Sequence, residues 1–109
     1  MPTIVFKNAS VLDGRQNEAL TDHNVLVENG EIREVSDGPI AASSARVIDL
    51  AGKTLMPGLI DCHVHVVAST ANLGVNAELP NALVALRSAK IMRNMLMRGF
   101  TTVRDLEPV

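Results

Sequence analysis

The residues best suited to chemistry in this chain are His63 and His65, inside the run Leu59-Ile60-Asp61-Cys62-His63-Val64-His65-Val66-Val67. Side chains on an extended strand alternate faces, so two imidazoles at spacing two project the same way. Two nitrogen donors then aim at one point in space. Leu59, Asp61, His63, His65 and Val67 share one parity. Ile60, Cys62, Val64 and Val66 share the other, and all four suit burial. The strand reads as having a core side and a chemical side. Neutral imidazole suits zinc and related ions, which makes a metal the simplest common partner for the pair. The bland alternative is a pair of histidines on a solvated face or satisfied within a core. Against it stand the apolar opposite parity, the sharp break Met56-Pro57-Gly58 before the strand, and the cost of burying unpartnered imidazoles.

Composition narrows what surrounds the pair. The 109 residues are enough for one small domain or part of a larger one. Phe6 and Phe100 are the only aromatic residues besides histidine, so the core must be aliphatic. That scarcity removes the stacking platforms of single-strand nucleic-acid binding. A net charge of -2 offers no footprint for a polyanion. No nucleic-acid partner is expected. The single cysteine, Cys62, excludes an internal disulfide framework and fits a reducing compartment. Its parity predicts a small buried hydrophobe rather than a reactive thiol. The segment Met1 to Ser10 has no long apolar core, and no run approaches a membrane span. A cytoplasmic protein with no membrane partner is the expectation.

The elements that must position the histidines follow from turn and period signals. Thr3 to Lys7 reads as a strand, with Val11-Leu12 continuing it before Asp13-Gly14. Asn24 to Glu28 faces Glu31 to Val35 across Asn29-Gly30, a strong hairpin signal because both turn residues tolerate positive φ. Arg46 to Leu50 is another strand, and Gly52-Lys53-Thr54 turns into Leu55-Met56. Residues 1–56 therefore read as an all-β unit. From 57 the character changes. The histidine strand, 59–67, leads into a polar loop from Ser69 to Glu78. A helix is predicted from Pro80 to Arg98, with Pro80 suited to its first turn and Gly99 to the position past its end. Arg87, Lys90, Asn94 and Arg98 form its polar stripe. Ala85, Ala89, Met92 and Leu96 form the apolar face, widened by Val84 and Met95. Thr101 to Arg104 is then a second strand. Strand, helix, strand is a βαβ unit with parallel strands and a right-handed crossover.

Met56-Pro57-Gly58-Leu59-Ile60-Asp61-Cys62-His63-Val64-His65 resembles the signature that opens the catalytic barrel of the amidohydrolase superfamily. The Asn29-Gly30 hairpin, Val47-Ile48-Asp49 and Gly52-Lys53 resemble the β-sandwich portion that precedes that barrel. Arg98-Gly99-Phe100-Thr101-Thr102-Val103-Arg104-Asp105 resembles the second barrel strand of the imidazolonepropionase-like and prolidase-like branch. The resemblance implies part of a β-sandwich over 1–56. Over 57–109 it implies the first βαβ unit of a (β/α)8 TIM barrel, so that the chain holds an incomplete α/β barrel. It also implies one or two divalent metals, usually zinc, with His63 and His65 as ligands at the C-terminal end of the first barrel strand. The reaction implied is hydrolysis of a C–N bond by activated water, on a dipeptide or another small amide. The general base and the remaining ligands would come from later strands.

Several expectations accompany this resemblance. Asp61 either orients an imidazole or makes a structural hydrogen bond, and Arg104 and Asp105 read as a salt bridge or a loop cap. His23, the third histidine, falls in the β-unit and is expected to be distant from the pair. In the prolidase-like branch glycines are expected after Arg104-Asp105, but Leu106-Glu107-Pro108-Val109 stands there. The chain alone is expected to be an inactive fragment that binds metal weakly. Exposed strand edges and an exposed apolar helix face predict a homo-oligomer. The rival reading is a non-catalytic interaction or structural module derived from such an N-terminus. A weaker third is a two-histidine metal-sequestering module.

Overall fold

The structure, a computed structural model, describes residues 2–106; Glu107, Pro108 and Val109, which carry most of the departure after Asp105, lie outside the described residues. The chain divides into two compact units, Met1–Pro57 and Gly58–Val109.

The first unit is one five-stranded sheet. Its strands are β1 (Ile4–Val11), β2 (Leu20–Glu28), β3 (Glu31–Ser36), β4 (Arg46–Asp49) and β5 (Thr54–Leu55). They run in the order β3-β2-β1-β4, with β5 also pairing β1. The β2–β3 hairpin closes at Glu28↔Glu31. Its turn residues Asn29 and Gly30 have φ of 52° and 81°, the doubly positive turn that matches strand twist. Val11-Leu12 continues the first strand only as far as Val11. Ala9, Val11 and Val25 are the buried centre, with Phe6, Leu20, Val27, Leu50 and Leu55 packed around them. Phe6, Val11, Val25, Val27 and Leu55 also line an apolar groove of about 630 Å³ on this sheet.

Asp49 secures the kink where β4 leaves β1. Asn8 and Ala51 both adopt positive φ, 56° and 49°. One Asp49 oxygen accepts from the Ala51 amide and from Asn8 Nδ2, each at 2.9 Å. The other meets Lys7 Nζ at 3.2 Å. The Ala51 amide first, then the Asn8 side chain and Lys7, hold this carboxyl below the usual carboxylate value. A group whose pKa is depressed by folding contributes stability above its unfolded pKa and loses it as pH falls through the folded value. The expected result is an Asp49 side-chain ¹³C titration centred below that of a model peptide. Asp49→Asn is expected to flatten the dependence of stability on pH below about 4. A normal midpoint would overturn it.

The second unit comprises β6 (Leu59–Val64), α1 (Leu73–Ala77), α2 (Asn81–Met97) and β7 (Phe100–Asp105). β6 and β7 pair in parallel across the α2 connection. Gly99, at φ 95°, ends α2 as expected. Three expectations are corrected. The strand carrying the histidines ends at Val64 rather than 67. The loop from Ser69 to Glu78 contains the short helix α1, whose Asn72 cap accepts from the Val75 amide at 3.2 Å. The covered stripe of α2 is Val84, Ser88, Ile91 and Met95: Val84 and Met95 are covered as expected, whereas Ala85, Ala89, Met92 and Leu96 are exposed. A two-stranded sheet is narrower than the apolar surface of α2, so it covers one stripe, the one from which Ser88 reaches Val66. Leu86 and Leu96 remain 71% and 59% exposed. No helix among the described residues is long and apolar enough to cross a membrane.

Candidate metal centre

β6 carries one extra residue opposite β7. Asp61 pairs with Val103 and Val64 with Asp105, so β6 takes three steps where β7 takes two. This β-bulge falls on Cys62-His63 and so takes in the first of the pair, and bulges beside functional sites re-aim side chains. It also breaks the alternation on which the sequence parity rests. Val64 and Val66 beyond it are buried, whereas Ile60 before it is 66% exposed. Cys62 is exposed too, against the expectation of burial. Parity therefore holds within His63-Val64-His65 and does not extend back to Asp61.

The pair itself converges. The two Nε2 atoms are 3.2 Å apart, and the rings meet edge to face at 73° with centroids 5.2 Å apart. Nitrogens so placed share either a proton or a cation. Two imidazoles on one tetrahedral zinc, at about 2.0–2.1 Å each, require nitrogens about 3.3–3.4 Å apart. The observed spacing fits that donor set. Both histidines are exposed.

Four side chains fix the backbone around the pair. Asp61 Oδ1 accepts from the His63 amide at 3.0 Å. Arg104 Nε donates to the Cys62 carbonyl at 3.0 Å. The Val66 amide donates to Asp105 Oδ2 at 3.3 Å, and the Val66 carbonyl accepts from Ser88 Oγ at 2.7 Å. Asn76 Nδ2 of α1 extends the set, donating to the Val67 carbonyl at 3.3 Å. Asp61 thus grips backbone rather than an imidazole. Arg104 and Asp105 act as loop caps and do not pair with each other among the described ion pairs. Ser88 and Asn76 escaped the sequence reading; a lone serine inside the apolar stripe of α2 was the available signal. Asp105 Oδ1 is the one buried side-chain oxygen or nitrogen left without a partner among the described residues.

No third His, Cys, Asp or Glu gathers with the pair among the described residues. His23 lies in the first unit, its Nδ1 2.7 Å from the Thr21 carbonyl.

β6 starts just after Pro57-Gly58, carries His63 near its end with His65 one residue beyond it, and pairs in parallel with β7 through the crossover helix α2. Residues 54–108 match the model of the amidohydrolase family, which is half of the chain, and the protein belongs to that family. The crystal structure of an amidohydrolase is 58% identical, with a TM-score of 0.89 over 94% of this chain and 25% of that one. A prolidase solved with N-methylphosphonate-L-proline is 51% identical, at the same TM-score and coverage. The dihydroorotase of Geobacter sulfurreducens is 44% identical over 64 residues, 57% of this chain and 14% of that protein. The chain thus spans about a quarter of the solved structures and less of the curated relative.

Proposed function

We propose that the protein is a divalent-metal-dependent hydrolase of C–N bonds, prolidase-like and acting on dipeptides, in which His63 and His65 are two of the metal ligands. The observation that carries this is the 3.2 Å convergence of the two Nε2 atoms. In this reading 57–109 open a (β/α)8 barrel, 1–56 contribute to a β-sandwich, and the protein is cytoplasmic and homo-oligomeric. Bound metal, zinc in this proposal, would supply Lewis acidity toward an amide carbonyl and activate water. The chain's own part is to hold two neutral imidazoles in register, with backbone-gripping side chains keeping the loop after His65 from drifting. Likeness to the prolidase over nearly the whole chain favours a dipeptide over the dihydroorotate that the dihydroorotase match would favour. The rival reading, a non-catalytic interaction module, draws on the exposed Leu86, Leu96 and Met97 of α2. A monomer by light scattering at all concentrations would count against both that module and the oligomer.

The test replaces the matching quarter of the solved prolidase with this chain. The chimera is expected to hydrolyse Xaa-Pro dipeptides, to lose activity on chelation and to regain it with added Zn²⁺. The chain alone is expected to bind Zn²⁺ weakly and to turn over no dipeptide. A folded, metal-loaded chimera that hydrolyses dihydroorotate and spares Xaa-Pro would overturn the substrate class. Activity indifferent to chelation would overturn the metal.

A further inference from the structure

We infer that Asp61 and Arg104 are positioning residues: they pin the Cys62-His63 bulge and so set the direction in which His63 meets His65. This inference rests on the metal reading of the pair. A bulge adds a residue with no counterpart on the neighbouring strand, and its amide and carbonyl are left to find other partners. Here the two groups flanking the extra residue are both met by side chains. Asp61 Oδ1 takes the His63 amide, and Arg104 Nε takes the Cys62 carbonyl. The two grips come from different strands, one from β6 and one from β7, and they close on a single peptide unit, the one joining Cys62 to His63. Its carbonyl and its amide are therefore both fixed, and with them the N–Cα bond from which the His63 side chain departs.

The downstream side is fixed in the same manner, since Asp105 and Ser88 hold the amide and carbonyl of Val66. His63 and His65 thus sit between two side-chain clamps. A rigid pair loses less conformational entropy on binding an ion than a pair whose strand can relax to regular register. Hydrogen bonds that orient metal ligands are worth about 10–100-fold in affinity, and here the orienting bonds act on the ligand's backbone rather than its ring. Asp61 lies two residues from a ligand and carries a carboxylate, so its grip on backbone must be separated from direct ligation by experiment.

The full 109-residue chain is titrated with Zn²⁺ and with Co²⁺, whose visible bands report ligand geometry. Wild type is expected to bind, and His63→Ala to bind on the order of 100-fold more weakly. Asp61→Ala and Arg104→Leu are expected to weaken both metals about tenfold and to alter the Co²⁺ spectrum. Asp61→Asn keeps an oxygen for the His63 amide and is expected to stay within about twofold of wild type. If Asp61→Asn falls as far as Asp61→Ala, the carboxylate acts on the metal directly and the clamp is overturned. Absence of binding in wild type would instead remove the metal reading. Should Asp61→Ala or Arg104→Leu fail to fold, amide exchange on the wild type decides. The His63 amide is expected to be protected, with a scalar coupling through its hydrogen bond to the Asp61 side-chain carbon. A fast-exchanging amide without that coupling overturns the inference.

Discussion

Gly58→Ala is expected to destabilise the second unit by about 3 kcal/mol or more, the upper end for overpacking. A Cβ at Gly58 would overlap Thr101 at Oγ1, Cγ2 and Cβ together. Rotating Thr101 moves the first two atoms and leaves the third, which is fixed to the β7 backbone. β7 carries its own extra residue there, because Leu59 pairs with Phe100 and Ile60 with Thr102. Thr101 is the residue so displaced, and only a residue without a side chain admits it. Relief would have to come from the strands themselves, at the cost of the Leu59 amide bond to the Gly99 carbonyl at 2.8 Å. A unit of this size has little stability to lose, since domains typically hold 5–15 kcal/mol in all. α1 and α2 both belong to this unit, so urea unfolding followed at 222 nm reports it. Adding Thr101→Gly to Gly58→Ala is expected to recover part of the loss, even though glycine costs a strand about 0.5–1 kcal/mol. A single variant within about 0.5 kcal/mol of wild type would sink the steric argument, since that is the range of an ordinary surface change.

The same close approach shows what the residues disclosed and what they withheld. Pro57-Gly58 reads from sequence as a break before a strand, and it is one. That Gly58 also yields to Thr101 depends on a register shift in β7, which no period in the sequence encodes. The strands and α2 were legible because turn residues bound them: Asn29-Gly30, Gly52 and Gly99 all adopt positive φ. The short α1 was hidden because Leu73 to Ala77 is too brief for a helical period to emerge from Ser69 to Glu78. The covered face of α2 was legible only at Val84 and Met95, because its apolar residues extend over more than one stripe and hydrophobicity alone cannot choose among them. Ser88 marks the stripe that is covered, its hydroxyl lying 2.7 Å from the Val66 carbonyl and 2.9 Å from the Val84 carbonyl of its own helix. The histidine pair was legible because spacing two still brings the two rings together, although the bulge takes in His63. Its supports were legible only in kind: Asp61 reads as a structural hydrogen bond and Arg104-Asp105 as a loop cap, but which backbone groups they hold follows from the bulge and the loop after it.

His63→Ala and His65→Ala are each expected to cut the affinity of the chain for Zn²⁺ by on the order of 100-fold. Side chains that merely orient a ligand are worth about 10–100-fold, so a direct donor should cost at least the top of that range. The geometry sharpens the expectation. With Nε2 atoms 3.2 Å apart, the second imidazole joins an ion already held by the first at almost no cost in reach. Removing either ring turns a two-donor grip into a single exposed imidazole, so the two variants should be nearly equivalent. The double variant should then add little to either single one, which is the non-additivity expected of groups acting as a unit. His23→Ala serves as the control, because its ring is engaged with the Thr21 carbonyl in the first unit; it is expected to leave affinity unchanged. Calorimetric titration of protein carrying no histidine tag measures all four. Equal affinities for wild type and the His63/His65 double variant would place the metal elsewhere. Additive losses from the two single variants would mean that each ring binds its own ion and that the convergence is only a shared proton. In the prolidase chimera the same two substitutions are expected to abolish Xaa-Pro hydrolysis, with partial recovery at high Zn²⁺ if the pair's role is to retain the metal.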